Sequence, residues 1–218
     1  MTNVDVRAWG RPRGRCYDRH SDGGLPVTVV TVLAVAYLLG AIPTSYLVVY
    51  LFTGRDIRTL GNGNPGMMNV WDNVGLKPAL LVALGDVGKG MAAVAFAYWM
   101  GMGDAVAIAA AFAAVLGHDY SIFLRFDGGN GTAATVGALI TLVPAATLPA
   151  LAVSVVIVAV LRSKRIAGLV GLAIVPVLAA YQDYSYILVA GIIGLMCVVA
   201  IKIVRFEGLT PVRTRPPR

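Results

Sequence analysis

The apolar residues of this 218-residue chain occur in long, almost uninterrupted blocks and do not alternate with polar residues. Such blocks predict membrane-spanning helices, because a helix needs about 20 apolar residues to cross the hydrocarbon core of a bilayer. The composition agrees, since only 13% of the residues are charged and soluble domains carry about 25%. We therefore expect an all-α membrane protein, built as one bundle of about seven transmembrane helices with glycine-rich cytoplasmic loops.

The apolar blocks divide the chain into a membrane domain, at residues 25–205, and two tails. Residues 1–24 are polar and arginine-rich and are expected to be disordered, and residues 206–218 form a basic C-terminal tail. We expect Pro43 to bend the first span, with the hydroxyls of Thr44 or Ser45 bonding the backbone groups that the bend frees. Seven spans are predicted, at about 26–52, 78–100, 104–116, 132–148, 149–161, 167–180 and 186–204.

The positive charges predict how the chain is oriented in the membrane. Twelve of the 18 lysines and arginines lie in segments that seven spans place on one side, five lie in the N-terminal tail, and Lys89 lies inside a span. The side with more cations is expected to be cytoplasmic, with the glycine-rich loops and the C-terminus. This distribution explains the net charge of +7 without nucleic-acid binding. Cys16 and Cys197 form neither a disulfide framework nor a metal motif, so they predict no metal site. We also expect no cofactor.

Two glycine-rich segments interrupt this apolar sequence, "GNGNPGMMN" at 61–69 and "GGNGT" at 128–132. Glycines allow successive N–H groups to point inward as an anion-binding nest, and a following helix N-terminus adds its positive dipole end. Ordinary turns would account for the glycines and asparagines of these segments equally well. Three nearby arginines, Arg55, Arg58 and Arg125, favour an anion and are expected to support its binding. The residues expected to bind phosphate directly are Asn62, Gly63, Asn64, Gly66, Asn69, Gly128, Gly129, Asn130 and Gly131.

Three ionisable residues lie in or beside the apolar blocks. Asp86 and Lys89 are three positions apart and share one helix face. They either form an ion pair that fixes the helix in the bundle or line a polar cavity in which Lys89 reaches a phosphate. His118 is either a hydrogen-bonding anchor at the membrane surface or a catalytic base. The chain contains no GxSxG, HExxH or P-loop pattern.

Four motifs, taken in order, resemble the bacterial acyl-phosphate:glycerol-3-phosphate acyltransferases, the PlsY family, over about residues 26–205. The motifs are "YLLGAIPTSYLV", "GRDIRTLGNGNPGMMNV", "GDVGKG" and "GHDYSIFLRFDGGNGTAAT". The resemblance implies a seven-helix bundle in the bacterial inner membrane with its site at the cytoplasmic face. It also implies transfer of an acyl group from acyl phosphate to glycerol 3-phosphate among membrane lipids, without metal or carrier protein. The product would be lysophosphatidate, for phospholipid synthesis, with His118 and Lys89 as the catalytic candidates and Asp86 in support.

Several positions depart from that family's usual pattern. Asn62 stands for a serine, Met68 for a threonine, Asp72 for an arginine, and Asp127 and Asn130 for lysines. The family's His-x-x-Asn pattern near the C-terminus is absent. These changes keep open a second hypothesis, a non-catalytic protein of the same fold that binds a lipid or a protein partner. A transporter is less favoured, because the chain does not show interrupted helices in two matching halves.

Overall fold

The computed structural model describes residues 25–207, except the side chains of 25, 164, 165 and 204–207. The predicted tail 1–24, and the predicted C-terminal tail beyond residue 207, lie outside it. Within the described range the chain is helical and contains no strand. The helices are α1 (Leu25–Ala41), α2 (Thr44–Thr53), α3 (Met67–Asn73), α4 (Leu76–Trp99), α5 (Asp104–Asp119), α6 (Thr132–Leu142), α7 (Pro144–Leu161), α8 (Lys164–Tyr181) and α9 (Tyr186–Glu207), with short 3₁₀ turns at Ile57–Thr59 and Ile122–Leu124.

The prediction of an all-α, multi-pass membrane protein is confirmed. Among the described residues, five helical stretches are long and apolar enough to cross a bilayer: Pro26–Thr53, Leu76–Trp99, Asp104–Leu124, Pro144–Leu161 and Tyr186–Ile203. The apolar helices Thr132–Leu142 and Ile166–Tyr181 are shorter than that. The count of seven spans therefore stays a prediction.

The first span is interrupted where Pro43 predicts a bend, between α1 and α2. The carbonyls freed there accept from elsewhere in the bundle: Ala41 from the hydroxyl of Ser121 at 2.5 Å, and Ile42 from the ammonium of Lys89 at 3.1 Å. The expectation that Thr44 or Ser45 would bond them is wrong, because those two hydroxyls point to other partners. The break therefore turns backbone oxygens toward α4 and the end of α5.

The predicted boundary between residues 148 and 149 is wrong. α6 ends at Leu142, and α7 begins at Pro144, in the first turn, where a proline's missing N–H is not needed. Pro149 lies inside α7, where it leaves the carbonyl of Ala145 without its usual helical donor. The side-chain amide of Gln182 donates to that carbonyl at 3.2 Å, so the helix continues through the proline.

Small residues bring the central helices close enough to build the site. The Cα of Gly117 on α5 lies against the carbonyl of Tyr37 on α1, and the Cα of Gly137 on α6 lies against the carbonyl of Val87 on α4. A side chain at either glycine would collide with backbone of the neighbouring helix. These contacts hold the Asp86–Lys89 turn of α4 and His118, at the end of α5, in one packed layer.

Candidate functional site

A small polar cavity lies at one end of the bundle, where segments far apart in sequence meet. Its volume is about 10 Å³, which is room for about one water molecule. The break between α1 and α2, the first glycine-rich loop, α4, the end of α5 and the second glycine-rich loop all contribute. The lining residues are Ala41, Ile42, Pro43, Thr44, Ser45, Pro65, Asp86, Lys89, His118, Ser121, Leu124 and Gly129.

The two glycine-rich loops lie at the same end of the bundle, as the arrangement of spans predicts. Pro65 of the first loop and Gly129 of the second line the same cavity. A guanidinium N–H of Arg58 donates to the carbonyl of Leu124 at 3.3 Å and so connects the segments that flank the two loops. One shared polar site between the loops is therefore present.

Asp86 is at the centre of the buried charges in this site. Its carboxylate forms a 2.8 Å ion pair with Lys89, and both side chains are buried, 2% and 6% exposed. The hydroxyl of Thr44 donates to the same carboxylate. Nδ1 of His118 lies 3.6 Å from Oδ1 of Asp86. The pair therefore fixes α4 against the α1–α2 break and also lines the cavity. That Lys89 reaches a phosphate there stays a prediction.

The second loop holds His118 through its backbone. The N–H of Gly129 donates to the carbonyl of His118 at 3.1 Å, and the N–H of Gly128 donates to the carbonyl of Asp119 at 3.2 Å. The Cα of Gly129 packs so closely against the imidazole that a Cβ there would collide with Nε2. Gly131 follows with φ of 68° and immediately precedes α6, so the predicted passage from glycine loop to helix N-terminus is present.

The first loop is shaped mainly by asparagine side chains. The amide of Asn69 donates to the carbonyls of Leu60 and Asn64, at 2.9 and 3.0 Å, so it fixes the loop from within. The side-chain oxygen of Asn62 accepts from the N–H of Asn64 at 3.0 Å. Asn64 is buried, and its side-chain oxygen has no partner within the described part of the chain.

The glycine loops differ from the open nests that the sequence predicts. The N–H groups of Gly63, Asn64, Gly128 and Gly129 all donate to groups of the protein itself. Because these donors are already bonded, they do not form a free concave anion site in this geometry. The roles of these residues, and of Gly66 and Asn130, in phosphate binding stay predictions.

The three supporting arginines are placed differently from one another. Arg58 forms a 2.7 Å ion pair with Asp56 and lies over the ring of Tyr46. Partial burial acts to raise the pKa of Asp56, but the hydrogen bonds and the charge of Arg58 outweigh burial and hold that pKa below its usual range. Arg55 and Arg125 are exposed. Arg58 is therefore the only one of the three that the structure connects to both loops.

Two charged residues near the site are missing from the sequence prediction. Lys202 on α9 donates from its ammonium to the carbonyl of Asp119 at 3.1 Å and lies 4.1 Å from the ring centre of Tyr120. Asp119 is fully buried, and neither carboxylate oxygen has a hydrogen-bond partner among the described residues. The signal for Lys202 was a lysine at the end of an apolar span, which usually has a specific partner.

Comparisons with known proteins agree with this arrangement. The family model described as glycerol-3-phosphate acyltransferase matches residues 30–208. A glycerol-3-phosphate acyltransferase of Trichlorobacter lovleyi is 37% identical over 170 residues, covering 78% of this chain and 87% of the relative. Glycerol-3-phosphate acyltransferase 2 of Dehalococcoides mccartyi is 43% identical over 118 residues, covering 54% of this chain and 56% of the relative. The chain thus matches only about half the length of that relative.

A solved structure has the same fold. The crystal structure of PlsY (YgiH), an integral membrane glycerol 3-phosphate acyltransferase in its glycerol 3-phosphate form, superposes with a TM-score of 0.76 at 26% identity. The match covers 82% of this chain and 89% of the other. Together with the extent of the family match, this shows that the chain belongs to the glycerol-3-phosphate acyltransferase family.

Proposed function

We propose that this protein transfers a fatty acyl group from acyl phosphate to a hydroxyl of glycerol 3-phosphate and releases lysophosphatidate and inorganic phosphate. The observation that carries the proposal is the single cavity in which Asp86, Lys89 and His118 meet Gly129 of the second loop. Acyl phosphate is already activated, so positioning the two reactants and balancing the phosphate charge would supply most of the rate.

In this proposal His118 accepts the proton of the attacking hydroxyl. Asp86 faces Nδ1 of the imidazole, while Nε2 faces the second loop at Gly129. With a proton on Nδ1 directed at Asp86, Nε2 is the free acceptor. The hydroxyl oxygen attacks the acyl carbon, its proton passes to Nε2, and the bond between the acyl carbon and the phosphate oxygen breaks. The electron pair of that bond leaves with the phosphate.

Lys89 is the cation nearest to the departing phosphate in this scheme. Its ammonium is held by Asp86, by the carbonyl of Ile42 at 3.1 Å and by the hydroxyl of Thr44 at 3.5 Å. The Thr44 contact is the longest and the easiest to exchange for a phosphate oxygen. The cavity must widen for a phosphate to enter, because its present volume accommodates about one water molecule.

We also propose that the site faces the cytoplasm, in a bacterial inner membrane. The cations in segments 53–77, 119–130 and 162–166 support this orientation. Both glycine-rich loops and the cavity lie at the end of the bundle that two of these segments form.

The function is tested by complementation and by a direct assay. The wild-type chain should restore growth to a bacterium depleted of its own acyltransferase, and the purified protein should form lysophosphatidate from palmitoyl phosphate and glycerol 3-phosphate. His118→Ala should lower kcat by about 10²–10⁴-fold, as expected for loss of a general base, and Lys89→Ala should lower it as well. Failure of a well-folded wild type in both assays would refute the proposal, and full activity in both variants would refute the site assignment.

A second function, a non-catalytic protein that binds a lipid or a partner, is favoured by one observation. Four of the loop N–H groups expected to hold phosphate, those of Gly63, Asn64, Gly128 and Gly129, are bonded within the protein. Under this alternative the wild type neither rescues growth nor forms product. A folded protein with no turnover would support it.

A further inference from the structure

Asp127 lies next to Arg58 at the edge of the second loop. The N–H of Asp127 donates to the carbonyl of Leu124 at 3.2 Å. The guanidinium of Arg58, which comes from the other loop region, donates to the same carbonyl oxygen at 3.3 Å. Two donors on one carbonyl oxygen are neighbours in space, so Arg58 and the backbone of Asp127 are held close together.

On its other side, Asp127 adjoins the second cation that the bundle brings here. The N–H of the next residue, Gly128, donates to the carbonyl of Asp119 at 3.2 Å. Lys202 of α9 donates to that same oxygen at 3.1 Å. The backbone of Asp127 and Gly128 therefore shares one acceptor carbonyl with a cation from the first loop region and another with a cation from α9, and Asp127 interacts electrostatically with both cations.

The backbone of Asp127 is close to the proposed reaction site. Gly129 lines the polar cavity and is only two residues further along the chain. Consecutive Cα atoms are about 3.8 Å apart, so the Cα of Asp127 is within about 8 Å of that lining residue. At such a distance, charges near a protein surface interact measurably unless salt screens them.

We propose that Asp127 is a built-in anion that competes with the phosphate of glycerol 3-phosphate for Arg58 and Lys202, and thereby sets the affinity of the enzyme for its acceptor. This inference rests on the proposed function. An arriving phosphate dianion is attracted by the two cations, of which Arg58 already pairs with Asp56, and is repelled by the nearby carboxylate of Asp127. Neutralising Asp127 leaves both cations in place and removes the repulsion, so the acceptor binds more tightly.

The effect belongs to binding more than to chemistry. Asp127 is outside the cavity lining, and its charge acts on the acceptor phosphate, which does not react. An interaction that is equal in the ground state and the transition state changes KM and leaves kcat nearly unchanged. Purely structural damage would instead lower kcat or stability.

The test is a kinetic comparison of purified full-length proteins at low ionic strength, with palmitoyl phosphate fixed and glycerol 3-phosphate varied. Asp127→Asn should lower KM for glycerol 3-phosphate by about three- to tenfold, with kcat within about twofold of wild type. Asp127→Glu retains the charge and should keep the wild-type KM. The matched control is Asp183→Asn, which removes an exposed carboxylate between α8 and α9 and should change nothing.

Added salt provides a second readout. At about 1 M salt the screening length falls to about 3 Å, so the difference in KM between wild type and Asp127→Asn should largely disappear. A KM that is unchanged or raised in Asp127→Asn at low salt, with both proteins active and monodisperse, overturns the proposal. If Asp127→Asn fails to fold, Asp127→Ser is measured in its place under the same criteria.

Failure of the proposed function is distinguishable from failure of this inference. If the wild type forms no product, the same variants are compared by the thermal stabilisation that glycerol 3-phosphate produces. Asp127→Asn should then reach half-maximal stabilisation at about three- to tenfold lower ligand concentration. Equal concentrations for wild type and Asp127→Asn, or no stabilisation of either, would overturn the inference in that case.

Discussion

The buried Asp86–Lys89 pair allows a quantitative test of how this site is held together. The two charged groups are 2.8 Å apart and almost fully buried. Asp86 retains the hydroxyl of Thr44 as a donor if Lys89 is lost, whereas Lys89 retains only neutral acceptors if the carboxylate is lost. We therefore consider Asp86→Asn, Lys89→Met and the double variant.

The expected magnitudes follow from the burial of both partners. Removing one member of a buried ion pair leaves an uncompensated charge and costs about 3–5 kcal/mol of unfolding free energy. At about 2–4 °C per kcal/mol for a chain of this size, each single variant should melt about 6–20 °C lower than wild type. The double variant buries neither charge, so it should be at least about 2 kcal/mol more stable than the worse single variant.

The assay is thermal unfolding in detergent, followed by size-exclusion chromatography of a fluorescent fusion after heating. Lys77→Met is the matched control, because Lys77 is an exposed lysine in the first turn of α4. All three site variants should have little or no acyltransferase activity. The double variant should therefore regain stability relative to the worse single variant without regaining activity. Two results would refute energetic coupling between Asp86 and Lys89. One is a loss of unfolding free energy below about 1 kcal/mol in each single variant, and the other is a loss in the double variant that equals the sum of the two single losses within about 0.5 kcal/mol.

Two glycine substitutions test the packing around the site. In Gly129→Ala the new Cβ would press on the imidazole of His118. Because that side chain can move, we expect activity to fall at least about tenfold with little change in melting temperature. Wild-type activity in this variant would contradict the prediction. In Gly137→Ala the Cβ would lie 2.8 Å from the carbonyl carbon of Val87, which is backbone, so we expect a loss of about 1–3 kcal/mol by thermal unfolding. The control is Gly88→Ala, at an exposed position of α4 with open space around it. It should be neutral or stabilising by up to about 1 kcal/mol. Equal losses of unfolding free energy in Gly137→Ala and Gly88→Ala would show that close helix packing does not cause the loss.

Much of the fold was predictable because it depends on properties that are local in sequence. Apolar block length indicates the spans, proline indicates the break before α2, and a spacing of three places Asp86 and Lys89 on one face of α4. The same local signals misplaced the start of α7. A proline can lie in the first turn of a helix, or in its interior when another group donates to the carbonyl that the proline leaves without a partner. Pro149 is an interior proline, and the donor to the carbonyl of Ala145 is the side-chain amide of Gln182, which only the folded structure shows.

The candidate site was predictable only in part. The sequence identified His118, Lys89 and both glycine loops as neighbours of one polar site. It did not indicate that the loop N–H groups would be bonded within the protein, because hydrogen-bond partners depend on the path of the folded backbone. It also placed Lys202 only among the cations predicted to be cytoplasmic. It did not indicate the contact to Asp119, which is formed across 83 residues of sequence.

By itself the sequence determined that this chain is a helical membrane protein with two polar loops at one end, since hydrophobicity and helical periodicity act within a few turns. The tertiary structure alone decided which groups satisfy one another there. The carbonyl of Ala41 accepts from Ser121 and that of Ile42 from Lys89. The N–H groups of Asp127 and Gly128 come to share acceptor carbonyls with Arg58 and Lys202, from two distant segments. Such pairings depend on the close approach of helices, which brings residues 47 and 80 positions apart into contact. No local sequence pattern encodes that approach.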